Sequence, residues 1–173
     1  MTAPVSKDVF NNALLAKLRE DGLWKDRSRA PELMQTLAAA EAIRTPEILD
    51  VLAERIGCRD PRLPLRSTRM VPIEEQYPAY GALVRIGSSA SRALLRQLTS
   101  LDPDADPDPR TFPPPCWGSA LTCLASIYGP GRAGVELAIV RVRQELKSAK
   151  GKERQALLRA IQELQDFEKK LSG

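Results

Sequence analysis

The chain of 173 residues contains no histidine, and aromatic residues make up only 5% of it. Histidine is the side chain whose unperturbed pKa best suits proton transfer near neutrality, so its absence excludes Ser–His and Cys–His catalytic pairs. The scarcity of aromatic residues, beside stretches rich in leucine and alanine, favours helices, because β-branched and aromatic side chains fit a pleated sheet best. We therefore expect an all-α protein that is not an enzyme.

The chain has only three cysteines, which make neither an even disulfide set nor a set of metal ligands. No stretch approaches the ~18 uncharged apolar residues of a transmembrane helix. The opening segment MTAPVSKDVFNN lacks the basic and apolar regions of a secretory signal. We expect a cytoplasmic protein that does not contact a membrane and binds no metal or cofactor; an exported protein whose signal has been removed is the alternative.

The charged residues give a formal net charge of +4, from 26 basic and 22 acidic side chains. This basic excess is small beside that of dedicated nucleic-acid-binding domains. Hydrophobic residues make up 43% of the chain and charged residues 28%, a composition typical of a globular protein. One domain over residues 1–173 is expected.

Apolar residues recur along most of the chain with the spacing of amphipathic helices. This pattern predicts three helix pairs, at residues 31–57, 73–101 and 117–149. Single amphipathic helices at residues 6–20 and 152–171 are predicted to cap the two ends.

Local start and stop signals support these boundaries. Ser6 is a candidate N-cap for the first helix, and Gly22 is a candidate left-handed residue at its end. Thr45 followed by Pro46 combines a capping residue with a proline at the first helical position. The glycine-rich run 129–134 is interpreted as a turn.

The tight turns of the three pairs recur every 42 residues, at Thr45-Pro46, Gly87-Ser88 and Gly129-Pro130. When the three units are superposed, several columns contain only apolar residues, and columns three residues apart share a helical face. In the first helices these columns are Leu37, Ala79 and Leu121, then Ala40, Ala82 and Leu124. In the second helices they are Val51, Ala93 and Val135; Ala53, Leu95 and Leu137; and Ile56, Leu98 and Val140.

The middle unit, ALVRIGSSASRALLRQL at residues 82–98, resembles the HEAT-repeat pattern of a helix ending in Ile-Gly, a polar turn and a leucine-rich second helix. The third unit is similar but has Tyr128 before its glycine, and the first unit departs furthest. The resemblance implies a short right-handed α-solenoid of about three antiparallel helix pairs, in which stacked neighbours bury one another's apolar faces. An irregular helical bundle with a coincidental interval is the competing interpretation.

Two proline-rich breaks interrupt the helices at residues 58–72 and 102–115, each joining one unit to the next. Equivalent connections of a solenoid emerge along one edge, so we expect the breaks to lie side by side and to attract each other. The first break contributes Arg59, Arg62, Arg66 and Arg69, and the second contributes Asp102, Asp104, Asp106 and Asp108. The aspartates do not form an EF-hand, because prolines occupy the positions that need glycine and glutamate.

A basic strip between Arg132 and Arg154 includes Arg141, Arg143 and Lys147. A solvated helix face is favoured over a phosphate-binding surface, because three glutamates interrupt the strip. Cys116 and Cys123 are expected to be buried structural thiols, with a reactive thiol at Cys116 as the alternative. The sequence thus predicts a non-catalytic scaffold that binds another protein, with a nucleic-acid-binding protein that uses the strip 132–154 as the alternative.

Overall fold

The computed structural model describes residues 6–64, 70–105, 108 and 110–173. Within these ranges the chain is helical and contains no β-strand. The α-helices are α1 (Lys7–Arg19), α2 (Asp21–Lys25), α3 (Ala30–Ile43), α4 (Pro46–Glu54), α5 (Ile73–Gln76), α6 (Pro78–Ile86), α7 (Ser91–Ser100), α8 (Trp117–Ser126), α9 (Gly131–Leu146) and α10 (Gly151–Leu171). Short 3₁₀ turns cover Arg27–Arg29 and Gly87–Ala90. None of these helices combines the length and apolar character needed to cross a membrane.

The predicted helix starts are confirmed at two caps. The Ser6 hydroxyl accepts a hydrogen bond from the Val9 N–H at 3.3 Å, and Thr45 caps α4 through the Ile48 N–H at 3.4 Å. The predicted stop at Gly22 is wrong. The chain instead becomes extended at Glu20 and re-enters a helix that contains Gly22, because α2 buries its leucine and tryptophan in the core.

The helices contact one another in two successive series. In the first series α3 packs on α6, α6 on α8 and α8 on α9. In the second series α1 packs on α4, α4 on α7 and α7 on α10. The series also pack together, through α1 on α3, α4 on α6, α7 on α8 and α10 on α9, and a continuous core lies between them. Thus α10 occupies the place beside α7 that the repeat predicts for α9.

The apolar columns follow this packing. All six residues of the first-helix columns are buried, and so are those of the second-helix columns in the first two units. In the third unit Val135 is buried, but Leu137 and Val140 are each 50% exposed. The predicted alignment of α9 with the second helices of the other two units is therefore wrong at these two positions. Because α9 lies against α8 and α10, it buries a different face, formed by Gly134, Val135, Ala138, Ile139 and Val142.

Gly134 permits this placement of α9. A Cβ atom at this position would overlap the carbonyl oxygen of Gly129 and would lie 2.8 Å from that of Ala125 at the end of α8. Both contacts are shorter than real side chains tolerate, so the close approach requires glycine. The run 129–134, interpreted from the sequence as a turn, therefore has two roles. Gly129 and Gly131 form the turn with positive φ, whereas Gly134 is a packing residue inside α9.

Candidate interaction surface

The two breaks meet at a glycine. A Cβ atom at Gly57, just before the first break, would lie 2.6 Å from Sγ of Cys116 and 2.9 Å from the carbonyl oxygen of Pro114. Glycine is therefore required where the start of the first break touches the end of the second. This contact joins segments far apart in the sequence and places them beside each other, at one point of the helix stack.

Arg55 connects this contact to the N-terminal helices. It is only 5% exposed, and its guanidinium donates hydrogen bonds of 2.7 Å to the Asp21 carboxylate and 2.7 Å to the Arg19 carbonyl oxygen. The same guanidinium lies 5.2 Å from the ring centre of Phe112 and 5.9 Å from that of Trp24. A buried arginine thus ties α1, α2 and the second break to the end of α4.

Phe112 receives a second cation. The Lys25 ammonium lies 4.0 Å from the centre of its ring. A cation over an aromatic face contributes about 0.5–2 kcal/mol, and the larger value applies where water is excluded. These contacts fix the later part of the second break on the helices. The sequence does not reveal this cluster, because a single arginine and an isolated phenylalanine carry no periodic signal.

The thiols beside the cluster differ in exposure. Cys58 is buried, and burial raises the pKa of its thiol to about 12 although the Arg55 guanidinium beside it acts in the opposite direction. Cys123 is also buried, and burial raises its thiol pKa as well. Its predicted core position is confirmed, whereas Cys116 is only half-buried. All three thiols are free.

An open cleft of about 410 Å³ adjoins Cys116 at the start of α8. Apolar side chains form much of its wall, including Leu101, Pro103 and Trp117, and none of its lining residues is basic. A thiol becomes a nucleophile when a neighbouring cation or base stabilises the thiolate. The lining contains no cationic side chain, and Asp102 is its one carboxylate. Within the described ranges no group of three or more potential ligands could hold a metal ion.

The charged residues of the breaks form mostly local contacts. Arg62 pairs with Asp60 at 2.7 Å within the first break, and Arg59 donates to the Pro64 carbonyl oxygen at 2.8 Å. Burial of Asp60 raises the pKa of its carboxyl, but hydrogen bonds from the side chain and backbone of Arg62 outweigh this effect and leave that pKa below its ordinary value. Asp104 lies 3.7 Å from Arg159 on α10.

Arg62 and Asp104 therefore pair with residues other than those predicted across the two breaks. Asp102 and Asp108 each accept a 2.9 Å hydrogen bond from a backbone N–H two residues ahead. Such local bonds order little extra chain and so cost less entropy than bonds between loops. Arg66, Arg69 and Asp106 lie outside the described residues.

The basic strip is partly neutralised. Arg132 pairs with Glu136 at 2.8 Å and with Glu168 at 3.2 Å, and Arg141 pairs with Glu145 at 3.1 Å. Arg143 and Lys147 are exposed on the outer side of α9, next to the exposed Leu137 and Val140. The three candidate residues Arg141, Arg143 and Lys147 thus differ, because only the first makes an ion pair within the described ranges.

Comparison with known proteins adds no relative on which to base a function. No protein-family model matches the chain, and neither a curated protein nor a solved structure matches it. The resemblance to HEAT repeats therefore depends on residues 82–98 and on the 42-residue interval. Function has to be inferred from the surfaces of the chain itself.

Proposed function

We propose that this protein is a non-catalytic interaction module of HEAT-like helical repeats that binds another protein. We place its binding surface on the described residues of the two breaks, 58–64, 70–72, 102–105, 108 and 110–115, which we call the loop edge. The observation that carries the proposal is the cation contact of Arg55 and Lys25 with Phe112, because it fixes the second break on the helices before any partner arrives.

Fixing a loop in advance favours binding. A loop that is ordered only on association loses conformational entropy, and this loss subtracts from the affinity. Phe112 and the contact between Gly57 and Cys116 remove part of that cost from the loop edge. Loops held by a rigid scaffold are common binding elements for the same reason.

The side chains of the loop edge suit a protein partner. Met70 is 100% exposed, and a flexible, polarisable methionine adapts well to an apolar partner surface. The half-exposed Arg62 and the exposed Asp108 add charges of both signs to the loop edge. A protein with an apolar contact and a mixed-charge rim fits this arrangement, and a reducing, cytoplasmic setting for the three free thiols is part of the proposal.

Affinity capture from the protein's own cells, followed by reconstitution with the purified partner, tests this function. The unchanged chain should retain a partner, and Met70→Asp together with Asp108→Lys should weaken the reconstituted complex about tenfold or more, equivalent to about 1.4 kcal/mol. Val9→Asp, at a 58% exposed position on α1, is the matched control and should bind normally. Equal binding by all variants would exclude the loop edge, and capture of no partner would contradict the function.

Nucleic-acid binding is the second candidate, favoured by the exposed Arg143 on α9 and the exposed Lys147 just after it. Phosphate contacts release counterions, so binding of this kind weakens steeply as salt rises. Reversing the charges of Arg141, Arg143 and Lys147 should then abolish binding to a mixed-sequence duplex and to a single strand. Binding that does not depend on salt, or its absence, would rule this candidate out.

A further inference from the structure

The outer face of α9 is partly apolar. The helix packs on α8 and α10 through its inner face, whereas Leu137 and Val140 remain 50% exposed. With ~100° between successive residues, Val140 lies at the centre of the outer face, and Ala133 and Lys147 lie within about 20° of the same line. These residues form a stripe along α9 and its immediate end.

The charges beside this stripe have a definite order. Glu136 precedes Val140 by four residues and Arg143 follows it by three. By helical geometry both lie on the same side of the stripe, at axial distances of roughly 6 Å and 4.5 Å from Val140. The carboxylate is thus nearer the start of α9 and the guanidinium nearer its end. Leu137 lies on the opposite side of the stripe.

This order is complementary to itself. Consider two α9 helices that meet face to face and antiparallel about a two-fold axis at Val140. The charged side of one stripe then lies against the charged side of the other, and the two helices run in opposite directions. Glu136 of each copy then faces Arg143 of the other, with an axial offset of about 1.5 Å. The two valines meet at the axis, and Ala133 of each copy faces Lys147 of the other.

We propose that this face is the interface with a second copy of the chain, paired antiparallel through α9. The pairing removes Leu137 and Val140 from water and forms two symmetric ion pairs at its rim. Glu136 already pairs with Arg132 at 2.8 Å within its own chain, so Arg143 of the second copy would join this ion pair. The interface uses no residue of the loop edge, so its failure and the failure of the proposed function are distinguishable.

The oligomeric state, measured by sedimentation velocity over a concentration series, tests the pairing. The unchanged chain should form a dimer, and Val140→Asp should weaken dimerisation at least about tenfold. Leu158→Asp, at a 47% exposed position on α10, is the matched control and should leave the dimer intact. A chain that stays monomeric at high micromolar concentration, or a dimer that Val140→Asp leaves unchanged, overturns the proposal.

Charge variants test the antiparallel register without placing a charge at the centre. Glu136→Arg alone and Arg143→Glu alone should each weaken the dimer, because like charges then face each other. Mixing these two variants should produce a heterodimer, since every facing pair is then of opposite sign. The double variant carrying both changes should dimerise like the unchanged chain. A mixture that fails to associate, or monomers that use Arg143 to bind nucleic acid, contradicts the inference.

Discussion

The guanidinium of Arg55 lies 5.2 Å from the ring centre of Phe112. This contact joins the end of α4 to the second break, which is distant from it in the sequence. The hydrogen bonds of Arg55 to Asp21 and to the Arg19 carbonyl oxygen extend the connection to the N-terminal helices. One buried side chain therefore couples three separate segments.

Replacing Arg55 by methionine should destabilise the protein by about 1–3 kcal/mol, as measured by urea unfolding. The Arg19 carbonyl oxygen loses its donor, and the rings of Trp24 and Phe112 lose a cation. The loss of stability is moderate, because the Asp21 carboxylate is half exposed and stays hydrated without its partner. Arg96→Met is the control: Arg96 pairs with Asp50 at the surface and should contribute only ~0–1 kcal/mol. Equal effects of both changes would disprove the role of Arg55.

Gly57→Ala should cost about 1–3 kcal/mol, because the new methyl group would overlap Sγ of Cys116 and the Pro114 carbonyl oxygen. Gly118→Ala provides the comparison, since a Cβ atom there meets nothing within 4 Å and the residue lies inside α8. That change should stabilise the protein by about 0.5–1 kcal/mol. Thermal and urea unfolding measure both effects, and a neutral Gly57→Ala would mean that the two breaks are not in tight contact.

Glu32 should titrate abnormally. Hydrogen bonds from Arg29 and then Lys17 lower the pKa of its carboxyl from 4.5 to about 2. The carboxyl is more acidic in the folded chain than in the unfolded chain, so its contribution to stability is complete above about pH 4.5. That contribution is lost as the pH falls through about 2. Carboxyl NMR titration checks the value, and Arg29→Met should raise this pKa; titration near 4.5 in the unchanged protein would contradict the ion pairs.

The three thiols should react with a maleimide at different rates. Cys116 is half-buried and should be modified in the native protein, whereas the buried Cys58 and Cys123 should be protected until the chain unfolds. The raised thiol pKa of Cys58 slows its reaction further, because the thiolate is the nucleophile. Peptide mapping by mass spectrometry distinguishes the sites. Native modification of Cys123 before Cys116 would contradict the packing of α8.

Local signals in the sequence predicted local structure well. The caps at Ser6 and Thr45 form as expected, because a hydroxyl and an N–H three residues ahead need no distant partner. Gly22 misled the prediction, since the burial of Leu23 and Trp24 extends a second short helix over it. Propensity is a weak preference, and burial of large apolar side chains outweighs it.

The candidate site was less predictable. The breaks themselves were recognisable from their prolines, and Gly57, just before the first break, lies against Pro114 of the second break and Cys116 just after it. Among the described residues, Arg62 pairs locally with Asp60, and Asp104 pairs with Arg159 on α10 instead of with an arginine of the first break. Charge content shows that a loop can form ion pairs but not which partner is closest once the chain is folded.

The sequence by itself determined the main helices and the 42-residue interval of the turns, because these follow from residue spacing and local hydrogen bonds. Only the tertiary structure decided that α10 packs along α7, that α9 leaves Leu137 and Val140 exposed, and that Arg55 faces Phe112. An apolar helix face favours burial, but the sequence of that helix does not specify which other helix packs against it. That choice depends on close approaches, such as the one at Gly134, and these exist only when distant segments have come together.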